Sequence, residues 1–166
     1  AAITALACPT VNSYNGFVPT VEGLDGGRHT LATTHMTYGS NNSSAMIRVP
    51  QNRYCVENRA SDLTQNPYLT FSLLAAAVTE GIDKNMKPPK ATNKSLYDLT
   101  EKEKKEVTSL PRNLLEAVDA FAEDKLVPQV FSKAMVNNFI GYKYDEWSRY
   151  HTTTTDWEIK EYLKLF

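Results

Sequence analysis

The sequence predicts an α+β fold in which short strands precede a helical portion, and three observations lead to it. Between His29 and Arg59 the segments "HTLATTHMTY", "AMIRVP" and "RYCVENR" are rich in β-branched and aromatic residues and alternate in polarity, as half-buried strands do. Beyond Arg59 the apolar residues recur at helical spacing, and helix-start signals stand before them. The composition, 42% hydrophobic and 22% charged over 166 residues, is that of one ordinary globular domain with enough apolar mass for a core.

Each element follows from local chemistry. Residues 1–27 read as loop, because "SYNGFVPTVEGLDGG" is dense in the turn-forming residues Asn15, Gly16, Pro19, Gly23, Gly26 and Gly27. Three short strands in succession predict an antiparallel sheet portion. Asn66 followed by Pro67 is an N-cap with proline at N1. The helix it opens, "PYLTFSLLAAAVTEGI", is apolar almost all round and is expected to be buried. Pro88 and Pro89 interrupt the polar stretch "KNMKPPKATNKS". Thr100 with Glu103, and Thr155 with Glu158, have capping-box spacing and predict two further helix starts. "LPRNLLEAVDAFAEDK" is amphipathic. "PQVFSKAMVNNFIGYKYDEWSRY" predicts one helix with a core stripe through Phe131, Met135 and Phe139, flanked by Val136, Ile140, Tyr144 and Trp147. The run from Glu101 to Glu106 reads as a solvated helix face.

Charge and composition exclude several classes of function. A net charge of −1 gives no electrostatic attraction to nucleic acid or to an anionic membrane. No apolar run approaches the roughly 18 residues that span a bilayer, and "AAITALACPT" lacks the basic region of a secretory leader. A cytoplasmic protein without nucleic-acid or membrane partners is expected. Cys8 and Cys55 form no C-x-x-C pair and are expected as reduced thiols. His29, His35 and His151 lack zinc-ligand spacing. The chain begins at Ala1 rather than Met, so a processed or truncated piece of a longer protein is expected.

The charged strand concentrates the functional signal. In "YCVENR" strand alternation puts Cys55, Glu57 and Arg59 on one face and Tyr54, Val56 and Asn58 on the other. A carboxylate and a guanidinium two residues apart on one face can hold an ionic ligand such as a metal, a phosphate or a carboxylate. The same pattern also fits a solvated outer face closed by an internal ion pair, and the strand alone leaves both readings open.

The motifs "SSAMIRVP", "VENR", "NPYL", "LAAAVTEGID", "LPRNLLEAVDAFAED" and "YDEWSRYHTTTTDWEIKEYL", after an "NSY" and a "VP", occur in an order and spacing that resemble the C-terminal part of the glutamine synthetase superfamily's catalytic domain. The resemblance extends from Pro9 to Phe166. Its last third is most similar to the bacterial ligases that join glutamate to polyamines or methylamine, and to the lens homologue lengsin. It implies that residues 1–166 are the C-terminal portion of such a domain, with 1–60 lining the site and 61–166 helical. It also implies an ATP-dependent ligase that forms a γ-glutamyl amide through an acyl-phosphate, using ATP and Mg2+ or Mn2+. By the resemblance, Glu57 corresponds to a metal ligand near the ATP phosphates. Arg48 and Arg59 correspond to arginines that hold the nucleotide phosphates and the transferring phosphoryl group, and Glu22 to a flap glutamate that closes the site. Asn12 and Tyr14 belong to the segment leading to that flap. The family's remaining metal ligands lie upstream and its sites form between subunits of rings. A companion segment or chain and a homo-oligomeric ring are therefore expected, and this chain alone is expected to be inactive.

Three positions depart from the family pattern. Gly16, Ser43 and Cys55 stand where arginines are usual. If each charge-assisted contact contributes about 1.5 to 3 kcal/mol, such losses amount to roughly a thousandfold or more in rate. Two readings follow: a ligase retuned for another acid or amine, and a catalytically inactive, lengsin-like structural or assembly homologue that keeps the fold.

Overall fold

The computed structural model describes residues 1–17 and 33–165. The chain opens with helix α1 (Ile3–Ala7) and a 3-10 stretch (Val11–Phe17), and three short strands follow: β1 (Tyr38–Ser40), β2 (Ile47–Val49) and β3 (Glu57–Asn58). The helical portion comprises α2 (Pro67–Asp83), α3 (Glu101–Lys105), α4 (Leu114–Glu123), α5 (Val127–Val130), α6 (Lys133–His151) and α7 (Asp156–Tyr162). The α+β organisation expected from the sequence is therefore present.

The core is built around α4, the most clearly amphipathic segment. Leu114, Ala117, Val118 and Phe121 recur at three- and four-residue spacing and are all buried. They meet Ala5, Leu6, Ala7 and Cys8 from the first helix on one side. Val136, Phe139, Ile140 and Trp147 of α6 pack on the other. The Phe121 ring lies 5.0 Å from that of Phe139 and 6.4 Å from that of Phe131, within the range of favourable aromatic pairs. A smaller cluster of Met46, Ala60 and Leu110 fills the space under the sheet, with Ile47 and Met36 at its edge.

The strands form one sheet in the order β1-β2-β3. β2 and β3 pair antiparallel, as expected, with Arg48 opposite Glu57. β1 differs: it joins β2 in parallel, Gly39 opposite Arg48. The connection cannot close as a hairpin because the buried Asn42 folds it into a compact loop. Its carboxamide donates to the carbonyls of Thr92 (2.7 Å) and Lys94 (2.9 Å) and accepts from Ser44. Asn41 takes a left-handed backbone conformation beside it. Gly39 is required here, since a Cβ would stand 2.1 Å from the Thr92 carbonyl oxygen.

Three expectations are corrected. Within residues 1–27, expected as loop, Ile3–Ala7 form a helix whose Ala5, Leu6 and Ala7 are buried, and Val11–Phe17 form a 3-10 stretch. α2 starts where predicted, with Asn66 accepting from the amides of Tyr68 (3.0 Å) and Leu69 (3.4 Å). It is not a buried helix, however: Thr70 and Leu73 are its buried residues, while Tyr68, Phe71, Val78 and Ile82 are exposed. An all-round apolar pattern specifies no face, and among the described residues α2 packs chiefly against α1 and α5. The segment read as one helix from Pro128 to Tyr150 is two, α5 and α6. They are split at Phe131 and Ser132, where Ser132 caps the second by accepting from the Met135 amide. Met135 and Tyr144 stand outside the packed stripe; Tyr144 instead donates to Asp119 at 2.6 Å. Both predicted capping boxes are formed, at Thr100/Glu103 and Thr155/Glu158. His151 ends α6, its ring stacked on Trp147.

Candidate functional site

The β2–β3 ladder places the predicted charges together. Arg48 and Glu57 are direct cross-strand partners, so their side chains share a face. Arg48 donates from Nη1 to Glu57 Oε2 at 2.9 Å and from Nη2 to Asn41 Oδ1. The other oxygen of Glu57, Oε1, accepts from Arg53 Nη2. Glu57 is thus clamped between two guanidinium groups. The hydrogen bond from Arg48 is the main reason its carboxyl is held below the usual glutamate range, with the charges of Arg48 and Arg53 adding to it against partial desolvation. The side chains of Arg48 and Glu57 are 23% and 25% exposed; that of Arg53 is 58% exposed.

Arg59 extends the same ladder, its amide donating to the Met46 carbonyl at 2.8 Å. Strand alternation assigns its side chain to the face of Glu57. Among the described residues it forms no ion pair, and its Nε is buried without a partner, as is the Nε of Arg48. Buried donors left unsatisfied are unfavourable by a hydrogen bond's worth of desolvation, and an anion is what guanidinium donors suit best. Between β2 and β3 the chain from Val49 to Val56, including Arg53, Tyr54 and Cys55, lines an open cavity of about 760 Å3.

The structure therefore brings Arg48 and Glu57 together and sets Arg59 two residues further along, opposite Met46. Glu22 lies outside the described residues. Of the three departures, Gly16 borders open space, with nothing within 4 Å of where a Cβ would stand. Ser43 is half-buried in the loop before β2. Cys55 is an exposed free thiol at the cavity. Neither Arg53 nor Asn41 was assigned a role from the sequence. Arg53 lies in the irregular loop before β3, where strand alternation gives no signal; Asn41 reaches Arg48 only through the loop's left-handed turn.

The donor set can be matched to the groups the resemblance implies. For phosphate the fit is direct: two arginines, one on β2 and one just past β3, each with a buried unsatisfied Nε–H. For Mg2+ or Mn2+ Glu57 offers the right hard oxygen, but the described residues contain no cluster of three or more ligating side chains. The described residues can contribute one metal ligand, not a complete site.

Sheet, helical layer and charged ladder define part of an α+β catalytic domain. The chain belongs to the glutamine synthetase catalytic-domain family, whose profile, described as "Glutamine synthetase, catalytic domain", matches residues 1–162. It is 36% identical over 98% of its length to the glutamine synthetase of Methanocaldococcus jannaschii, of which it covers 35%. It is 35% identical over 99% of its length to the glutamate–methylamine ligase of Methyloversatilis universalis, covering 36% of that protein. Among solved structures, a GmaS/ADP complex superposes with a TM-score of 0.81 at 34% identity, over 98% of this chain and 36% of the other. The chain thus spans about a third of the length of the relatives it matches. No described helix is long and apolar enough to cross a membrane.

Proposed function

We propose that this chain supplies the nucleotide-phosphate wall of a glutamine-synthetase-type active site, in a ligase forming a γ-glutamyl amide from glutamate or a related acid and ammonia or an amine. The observation behind this reading is the pair of buried, unpartnered Nε–H groups on Arg48, which is bonded to Glu57, and on Arg59, two residues past Glu57. ATP supplies the phosphoryl group that activates the acid, and Mg2+ or Mn2+ offsets the charge on its equatorial oxygens. Arg48 and Arg59 would hold the nucleotide phosphates and the transferring phosphoryl group. Glu57, kept ionised by Arg48, gives one oxygen to the metal. Glu22 acts as the closing flap glutamate that takes a proton from the incoming amine. The remaining ligands come from a companion segment or from the neighbouring subunit of a homo-oligomeric ring, since Glu57 by itself cannot complete an octahedral shell. A cytoplasmic setting suits the free thiols of Cys8 and Cys55.

Isothermal titration of the full-length protein with a non-hydrolysable ATP analogue and Mg2+ tests the reading. The analogue should bind, and Arg59→Ala or Arg48→Ala should each weaken it about tenfold or more, the loss expected for a charge-assisted hydrogen bond. No binding by the full-length protein would overturn the proposal. It would favour the inactive, lengsin-like alternative, for which Gly16, Ser43 and the exposed Cys55 speak.

A further inference from the structure

We infer that Asn41 is a positioning residue for the phosphate site: its side-chain carbonyl holds the Arg48 guanidinium in one plane, so that the remaining N–H groups meet an anion already oriented. The inference rests on the proposed role of Arg48 in holding nucleotide phosphate and adds to that site a residue that acts through Arg48. Arg48 donates from Nη1 to Glu57 Oε2 at 2.9 Å and from Nη2 to Asn41 Oδ1. Acceptors on both terminal nitrogens fix a planar guanidinium, whereas a single acceptor leaves it free to pivot. The Nε–H, buried and without a partner, is among the donors left over. Ordering of this long side chain is thereby completed on folding instead of on binding.

The turn at Asn41 does not account for its side chain. With φ at 52° the residue is in the left-handed region, which asparagine tolerates and glycine adopts more freely. Its backbone is tied independently, the amide donating to the Val49 carbonyl at 2.9 Å. The Ser40 amide before it donates to the Asn93 carboxamide oxygen at 3.0 Å. Asn41 is exposed, so its side chain fills no core. Among the described residues its carboxamide bonds to Arg48 alone. Neutrality matters as much as reach. Arg48 already faces one carboxylate, Glu57, and a second at position 41 would offset its attraction to phosphate. An amide oxygen supplies the same hydrogen bond without the charge.

The test titrates the full-length protein with the non-hydrolysable ATP analogue and Mg2+, as wild type, Asn41→Gly, Asn41→Asp, Arg48→Ala and the double variant Asn41→Gly/Arg48→Ala. Asn41→Gly keeps the left-handed turn and removes only the acceptor. It should weaken the analogue roughly three- to tenfold, the range of one hydrogen bond, with the urea midpoint unchanged. In the Arg48→Ala background the same change should have no further effect, because a positioning residue acts only through the group it positions. Asn41→Asp should weaken the analogue relative to wild type at low salt and recover part of the loss at high salt, where the added charge is screened. The positioning role is overturned if Asn41→Gly binds as wild type does, or if Asn41→Asp has no effect at low salt. Equal weakening by Asn41→Gly with and without Arg48 also overturns it, since that would mark a role in the loop alone. If Arg48→Ala itself leaves the analogue unaffected, the phosphate reading beneath it fails as well.

Discussion

Glu103 offers a residue-scale contrast to Glu57, because its carboxylate serves structure alone. Lys94 pairs with it at 2.6 Å, and the amide and hydroxyl of Thr100 donate to its other oxygen. Its carboxyl is pulled down to about 2 from an ordinary 4.5, chiefly by Lys94 and then by the Thr100 bonds. A depressed folded-state value means that the unfolded chain takes up the proton first as pH falls. The stabilisation is therefore fully present above about pH 4.5, fades as the pH drops, and is gone below about 2. Acid unfolding of wild type and Glu103→Gln should show a stability gap that closes across that window. A gap unchanged between neutral pH and pH 2 would contradict the assignment. At Glu57 the two bonds come instead from two arginines of unequal exposure, Arg48 at 23% and Arg53 at 58%.

At the scale of elements, those determined by bonds a few residues apart are the secure ones. The N-cap at Asn66 is such a case: Asn66→Ala removes the acceptor for two α2 amides and should lower stability by about 1 kcal/mol in urea denaturation. Asn66→Ser or Asn66→Asp should retain most of it. The same locality explains what could be read beforehand. Both capping boxes, the Asn-Pro start of α2 and the buried stripe of α4 were legible, because three- and four-residue relations are written directly in the sequence. The parallel course of β1 was not, since it depends on Asn42 meeting the carbonyls of Thr92 and Lys94 about fifty residues away. Nor was the exposure of α2, for an all-round apolar helix does not say how much of it the chain covers. The site divides in the same way. Alternation pointed to Glu57 and Arg59 on one face, and the ladder supplied Arg48 as cross-strand partner, but the expected strand is regular only over Glu57–Asn58, so Cys55 falls outside it. Arg53's hold on Glu57 comes from an irregular loop, where no period applies.

At the scale of the whole molecule, the charged ladder is anchored to the helical core. Just past β3, the Ala60 carbonyl accepts from the buried Cys8 thiol at 3.5 Å, and the Asp62 amide donates to Ala7 at 3.0 Å. Thr70 of α2 donates to the Leu6 carbonyl at 3.2 Å. Burial pushes the Cys8 thiol up to about 12, so it stays a protonated donor. α1 therefore joins the end of the site strand to α2 and to α4. Phe121, fully buried at the centre of that assembly, should lose roughly 3 to 5 kcal/mol of stability as Phe121→Ala, measured by chemical denaturation. Because Cys8 and Ala7 couple the ladder to that core, partial melting takes the ladder with it and leaves no half-formed site behind. In a titration, a damaged interior would then register as fewer competent molecules, each with undiminished affinity: the stoichiometry falls and the dissociation constant holds.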